Sequence, residues 1–291
     1  MELQRAWARW RPGHYHPVEI VPDYIVDMAR QKPGRATMAA FSGGVDASFT
    51  ALQHSTLLPE SYRYNLTALL MVHGFDISLG DAAGFSRLVA RSERFRAELA
   101  VNTRIIRTNS KELNLQNWED SYAAQLAGCL HQFSDKCEFG LIASAEPYDK
   151  LALPLGSSPA TDHLLSGDCL TIIHDGAGFS RTEKVEAIAR YPNATAGLKV
   201  CWEGADPAVN CGVCEKCVRT RLNFLAIGEA RPACFEGVLE TRHITHVPLR
   251  RHLHCDELRS ILEFARSHGC EGDWIEALEQ RITAYEQPNP R

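Results

Sequence analysis

The stretch MAAFSGGVDASFTAL (38–52) decides how this chain is read. An apolar run of small residues ends at Phe41, a helix-like run starts near Asp46, and Ser42, Gly43, Gly44 and Val45 make the turn between them. A strand that feeds a helix this way leaves the first helical N–H groups, and the positive end of the helix dipole, aimed at whatever the turn holds. Two glycines with no Cβ let the backbone curl round an anion. The turn is a candidate phosphate cradle. On these residues alone a second reading stays open, in which Ser42 and Asp46 only cap a helix.

The same grammar repeats on either side. ATMAAF (36–41) reads as a short buried strand and DASFTALQHST (46–56) as the helix after it. LTALLMVHGFDI (66–77) is a second strand-like run ending at Gly74, and AAGFSRLVARSERFRAELAV (82–101) has the spacing of one helix. TRIIRTNS (103–110) and FGLIAS (139–144) are further strands, with a helix over 119–137 between them. Strand and helix alternating at this interval predict an α/β fold with a doubly wound, mostly parallel sheet. A Pro- and Gly-rich loop (145–167) follows, then the short strand LTIIHDG (170–176) and the helix RTEKVEAIARY (181–191). A helix through VRTRLNFLAIG (218–228) and two amphipathic helices, 255–269 and 273–287, complete the pattern.

Four segments are expected: an extension over 1–35, a nucleotide-binding α/β domain over 36–200, a cysteine knuckle and helix over 201–230, and a helical extension over 231–291. Within the first, a short strand or helix is expected in PVEIVPDYIVDMAR (17–30), and the closing QPNPR reads as a frayed end.

Of the 291 residues 45% are hydrophobic, enough for a sizeable core, and the net charge of −5 argues against nucleic acid coating the whole surface. A local basic groove for nucleic acid stays open. No apolar stretch reaches the length of a membrane span, and the first residues lack the apolar core of a signal peptide. A cytoplasmic address is the expectation, so the ten cysteines are read first as thiols or metal ligands.

CWEGADPAVNCGVCEKC (201–217) sets Cys201, Cys211, Cys214 and Cys217 at spacings that suit one metal ion, because a Cys-x-x-Cys turn presents two thiolates together. Zn²⁺ held by four sulfurs is closed and structural. An iron–sulfur cluster and ordinary buried or disulfide cysteines are the other two readings. The remaining six cysteines are scattered, with Cys169, beside the 145–168 loop, the one worth testing for reactivity.

SGGVDAS (42–48) resembles the pyrophosphate loop of the N-type ATP pyrophosphatases, usually Ser-Gly-Gly-x-Asp-Ser-Ser/Thr, with Ala47 standing where a serine is usual and Ser48 kept. Together with the four cysteines in the same order, the chain over 36–225 resembles the 7-cyano-7-deazaguanine synthase family. That resemblance implies ATP and Mg²⁺ as cofactors beside structural Zn²⁺. It implies an enzyme that adenylates a carboxylate, releases pyrophosphate and couples the acyl group to a nitrogen nucleophile, giving an amide or a nitrile. The carboxylate would be a small molecule or borne on a macromolecule, the nitrogen donor ammonia or an amine, and the enzyme a homodimer.

By the same resemblance Ser42, Asp46 and Lys184 are the catalytic residues, with Mg²⁺ reached from Asp46 through water. Gly43, Gly44, Val45 and Ser48 join them on the pyrophosphate, and Met71, Val72 and Gly74 on the adenosine. Arg219 and Arg221 match basic residues that follow the last cysteine. Ser144, Asp162, His163 and Asp168 are substrate-side candidates from the central loop, which itself departs from the aspartate-rich segment expected of a nitrile synthase. An RNA-thiolating relative and, because of Ala47, a non-catalytic nucleotide-binding subunit are the alternative readings.

Overall fold

A computed structural model describes residues 1–24, 36–113, 117–201 and 203–287. In chain order it carries α1 (Glu2–Trp10), β1 (Ala36–Ala40), α2 (Val45–Leu52), β2 (Asn65–His73), α3 (Ala82–Arg91), α4 (Glu93–Glu98), β3 (Asn102–Arg107) and α5 (Trp118–His131). There follow β4 (Phe139–Ala143), β5 (Thr171–Asp175), α6 (Arg181–Ala189), α7 (Pro192–Gly197), α8 (Glu215–Ala226), α9 (Thr241–Thr245), α10 (His252–Ser267) and α11 (Asp273–Glu286). Among the described residues no helix is long and apolar enough to cross a membrane.

The chain forms two compact units. The first takes in Met1–Phe41, Thr50–Phe75 and Val101–Gly178, and holds all five strands. They make one sheet in the order β3-β2-β1-β4-β5 with every pair parallel. The order runs outward from β1 in both directions, as the alternating pattern predicts. α5 lays Ala123, Ala127 and Leu130, spaced i, i+4, i+7, on a core with Met38, Leu70, Ile142 and Ile172. Gly140 on β4 permits this approach: a Cβ there would meet Ile172 Cδ1 at 3.0 Å and Leu130 Cδ1 at 3.2 Å. The small residues of β1 serve the same close packing, with Ala39 wholly buried.

The second unit takes in Ser42–Phe49, Asp76–Ala100 and Phe179–Arg291. Its core comes from Val218, Leu222 and Ala226 of α8, Leu258, Ile261, Leu262 and Ala265 of α10, and Ala277, Leu278 and Ile282 of α11. The amphipathic faces of the last two helices are thus buried within the unit itself.

One sequence expectation is corrected. The 82–101 run is two helices, because Ser92 leaves helical geometry at φ −94°, ψ 4°. The buried Arg96 guanidinium fills the break, donating to Ser92 Oγ (3.1 Å) and Val89 O (2.7 Å). No strand or helix forms over 17–24, where Pro17 and Pro22 remove backbone donors, and 25–30 lie outside the described residues. A helix not expected from the sequence, α1, comes before it and has no buried residue. The segment 288–291, read as frayed, also lies outside the described residues.

Candidate functional site

In the second unit the glycine turn is built as the sequence suggests. Gly43 has φ +79°, a left-handed conformation in which any Cβ is strained, while a Cβ on it would meet nothing nearer than 3.8 Å. Its requirement for glycine is therefore conformational, not a matter of space. Gly43 O accepts from Lys199 N (2.8 Å), which pins the turn. Ser42 is exposed, and its Oγ accepts from Gly44 N at 3.3 Å. Val45, Ala47 and Ser48 are buried, and Ser48 N donates to Gly44 O (3.0 Å).

Asp46, in the first turn of α2, accepts from Arg181 Nη1 (2.7 Å) on Oδ2 and from Lys184 Nζ (3.3 Å) on Oδ1. Burial alone pushes the Asp46 carboxyl up, but Arg181 and Lys184 outweigh it and hold the group below the usual carboxylate range. Lys184 is 1% exposed and Arg181 11%. Both sit on α6, three residues apart and so on one face. α6 starts with a capping box in which Ser180 and Glu183 satisfy each other's backbone N–H, and Thr182 Oγ1 donates to Asn223 Oδ1 (2.6 Å) on α8. The sequence reading found Lys184 and missed Arg181.

A second cluster follows. The sulfurs of Cys201, Cys211, Cys214 and Cys217 all lie within 4.8 Å of one another, with Cys201–Cys214 at 3.7 Å and Cys211–Cys217 at 3.9 Å. Four sulfurs tetrahedrally placed about 2.3 Å from one zinc would be roughly 3.8 Å apart. A disulfide needs about 2 Å, so these are four separate thiols. The residues fit a metal ion such as zinc. Cys214 N donates to Cys211 Sγ (3.3 Å) and Gly212 takes φ +80°, the geometry of a knuckle. The hydrogen bond shared with Cys217 pulls the Cys214 thiol down to about 5 and pushes that of Cys217 up, while burial raises Cys211. Metal uptake must displace those protons, so affinity rises with pH.

The frame around the sulfurs was not visible in the sequence. Asn210 Oδ1 accepts from Val200 N (2.9 Å) and Cys201 N (3.2 Å), and its Nδ2 donates to Leu198 O (2.9 Å) and Cys234 O (3.0 Å). Arg91 donates to the carbonyls of Leu198, Ala208 and Cys234. Arg221 holds Gly212 O (3.4 Å) and Gly237 O (2.6 Å), so it braces the knuckle. Arg219 pairs with Glu215 (3.0 Å) and Glu257 (3.4 Å). Burial first, then the neighbouring Arg219 and Arg181, push the Lys216 ammonium down to about 7. Because Asn210 sets the position of Cys201 without touching metal, Asn210→Ala should weaken zinc affinity about 10- to 100-fold, read by competition with a chromophoric chelator.

The remaining candidates belong to the first unit. β2 runs on past Leu70, its last residue paired with β1, so Met71 and Val72 continue the strand beyond that ladder, and Gly74 turns the chain at φ +116°. Ser144 is fully buried and its Oγ donates to Glu146 O (2.5 Å). Asp162, also fully buried, accepts from Ser157 Oγ (2.6 Å), Ser158 N (3.0 Å) and His174 Nδ1 (2.8 Å). These two are internal braces of the loop. His163 and Asp168 are exposed. Asp175, not singled out from sequence, gathers Thr50 Oγ1 (2.6 Å), Gln53 Nε2 (3.0 Å) and His54 Nε2 (2.9 Å).

No family model matches the chain, and neither a curated protein nor a solved structure matches it.

Proposed function

We propose that this chain is an ATP-dependent, AMP-forming ligase that adenylates a carboxylate and joins it to a nitrogen nucleophile. The observation that carries the reading is the left-handed glycine turn at the start of α2, with Lys184 buried beside its aspartate. In the first step a carboxylate oxygen attacks the α-phosphorus of ATP, the bond to the β-phosphate oxygen breaks, and pyrophosphate leaves. In the second, the nitrogen attacks the acyl carbon, the bond to AMP breaks, and the nitrogen sheds a proton. The turn's amides and Lys184 would bind the leaving pyrophosphate and offset the charge that develops on it, as preorganised donors do at other phosphoryl sites. Mg²⁺ would supply further neutralisation through phosphate oxygens.

The four-cysteine cluster would hold structural Zn²⁺. Closed by four sulfurs, it leaves no coordination position for a substrate.

Full-length protein with ATP, Mg²⁺, ammonia and a panel of carboxylic acids should release AMP and pyrophosphate with at least one acid. Ser42→Ala should reduce that release and weaken nucleotide binding. If no acid yields AMP and Ser42→Ala binds ATP like wild type, the reading fails. ATP binding without turnover by any acid would instead favour a non-catalytic nucleotide-binding subunit, the reading that Ala47 suggests.

A further inference from the structure

We propose that Arg181 is a second pyrophosphate-binding cation, and that Asp46 is its built-in counter-ion, exchanged for ligand oxygens when pyrophosphate binds. The proposal rests on the pyrophosphate-loop reading and adds to it a residue and a switch.

One carboxylate faces two cations, each held on a different oxygen, at 2.7 Å from Arg181 and 3.3 Å from Lys184. Glu257 and Glu215, the other acids that favour the charged form of Arg181, also face Arg219, at 3.4 Å and 3.0 Å. Arg181 Nε is buried with no hydrogen-bond partner. A buried donor on a charged group is costly to leave unmatched, and Asp46, held on Nη1, does not reach this nitrogen.

Pyrophosphate supplies what is missing. A phosphate edge can accept from Arg181 Nε and Nη2 together, since the side-on guanidinium fork matches two oxygens side by side, and a further oxygen can take Nη1 in place of Asp46. Another oxygen can take Lys184, and the first amides of α2 the rest. Asp46 cannot stay, because its carboxylate would sit against the phosphate oxygens. Released, it becomes a hard oxygen ligand for a divalent cation. With no metal to receive it, the aspartate competes with the anion for the same two cations.

Calorimetric titration of inorganic pyrophosphate into the full-length protein tests this, with and without Mg²⁺. Without metal, Asp46→Asn should bind pyrophosphate about tenfold more tightly than wild type, since the competitor is gone and both cations remain. Arg181→Gln should bind about tenfold more weakly than wild type in Mg²⁺. Arg181→Lys keeps the charge and a partner for Asp46, so it should fold and still bind several-fold more weakly for want of the fork.

Wild-type affinity in Arg181→Lys and Arg181→Gln overturns the proposal, as does weaker metal-free binding by Asp46→Asn. If Asp46→Asn does not fold, the Arg181→Lys result decides. Ser42→Ala and Lys184→Ala separate the two levels. If they lose binding while the Arg181 variants do not, the role of Arg181 fails alone. If wild type binds no pyrophosphate, or none of these variants changes its binding, the pyrophosphate-loop reading fails as well.

Discussion

Stripping the metal from the four-cysteine cluster, or replacing Cys217 with Ser, should lower the thermal unfolding midpoint of the second unit. At free zinc about a thousandfold above its dissociation constant, the bound ion contributes about 4 kcal/mol, which corresponds to roughly 8–16 °C for a chain of this size. The size of the effect follows from where the ligands sit. Between Cys201 and Cys214 the described residues form no helix or strand, and among those described residues only Ala208, Asn210 and Gly212 are buried. These described residues bury little apolar surface, so the Asn210 and Arg91 clamps, with an ion held by the sulfurs, would secure them. Cys217 is wholly buried in the first turn of α8, the helix that supplies Val218 and Leu222 to the core. Loss of its ligand therefore reaches the packing of α8 directly. Differential scanning calorimetry with and without a chelator reads the shift, and lowering the pH should mimic the chelator, because protons compete for the thiolates. An unchanged midpoint would show that the sulfurs carry no structural ion.

The sheet was legible because its signal is local. A parallel strand buried on both faces reads as an apolar run, as β1 and β4 do, and the edge strand β3, which buries no residue, was still found; each of the five strands stands within a few residues of its place. The break at Ser92 was not legible, since what fills it is the Arg96 guanidinium of α4 reaching back to Ser92 and to Val89 O of α3. α1 offered no core periodicity because it buries nothing. The metal ligands announced themselves through spacing, but Asn210 looks like any loop asparagine until Cys201 and Cys234 are brought to it. Lys184 and Arg181 lie in the same quoted helix; the resemblance singled out Lys184, while Arg181 read as an ordinary surface charge. What distinguishes them is Asp46, 138 and 135 residues away along the chain. The capping box Ser180–Glu183 was readable in principle, and it marks where α6 begins, hence which residues share a face with Lys184.

Lys184→Met should lower kcat/KM for AMP formation by about 10²- to 10³-fold while leaving the fold in place. Methionine matches the length of the lysine stem, so the slot that holds a side chain only 1% exposed stays filled. What is lost is one positive charge within 3.3 Å of Asp46, in a site where screening by water is weak. Lys184→Arg should rescue poorly, because a fully buried slot does not admit the larger guanidinium without displacing α6. The same substitution has a signature in stability that is separate from activity. Asp46 is held below its ordinary pKa by Arg181 and then Lys184, against the upward push of burial. A depressed carboxylate contributes stability that is present above its unfolded pKa and is lost as pH falls through the folded value. With Lys184 gone the depression shrinks, so Lys184→Met should be less stable than wild type at pH 7, by about 1 kcal/mol. The difference should narrow only as the pH falls through the folded-state values, first that of Lys184→Met and then the lower one of the wild type. Urea unfolding across pH 3–7, beside AMP release at pH 7, reads both effects. Full activity in Lys184→Met with the stability change intact would make Lys184 a structural partner of Asp46 and remove it from the chemistry.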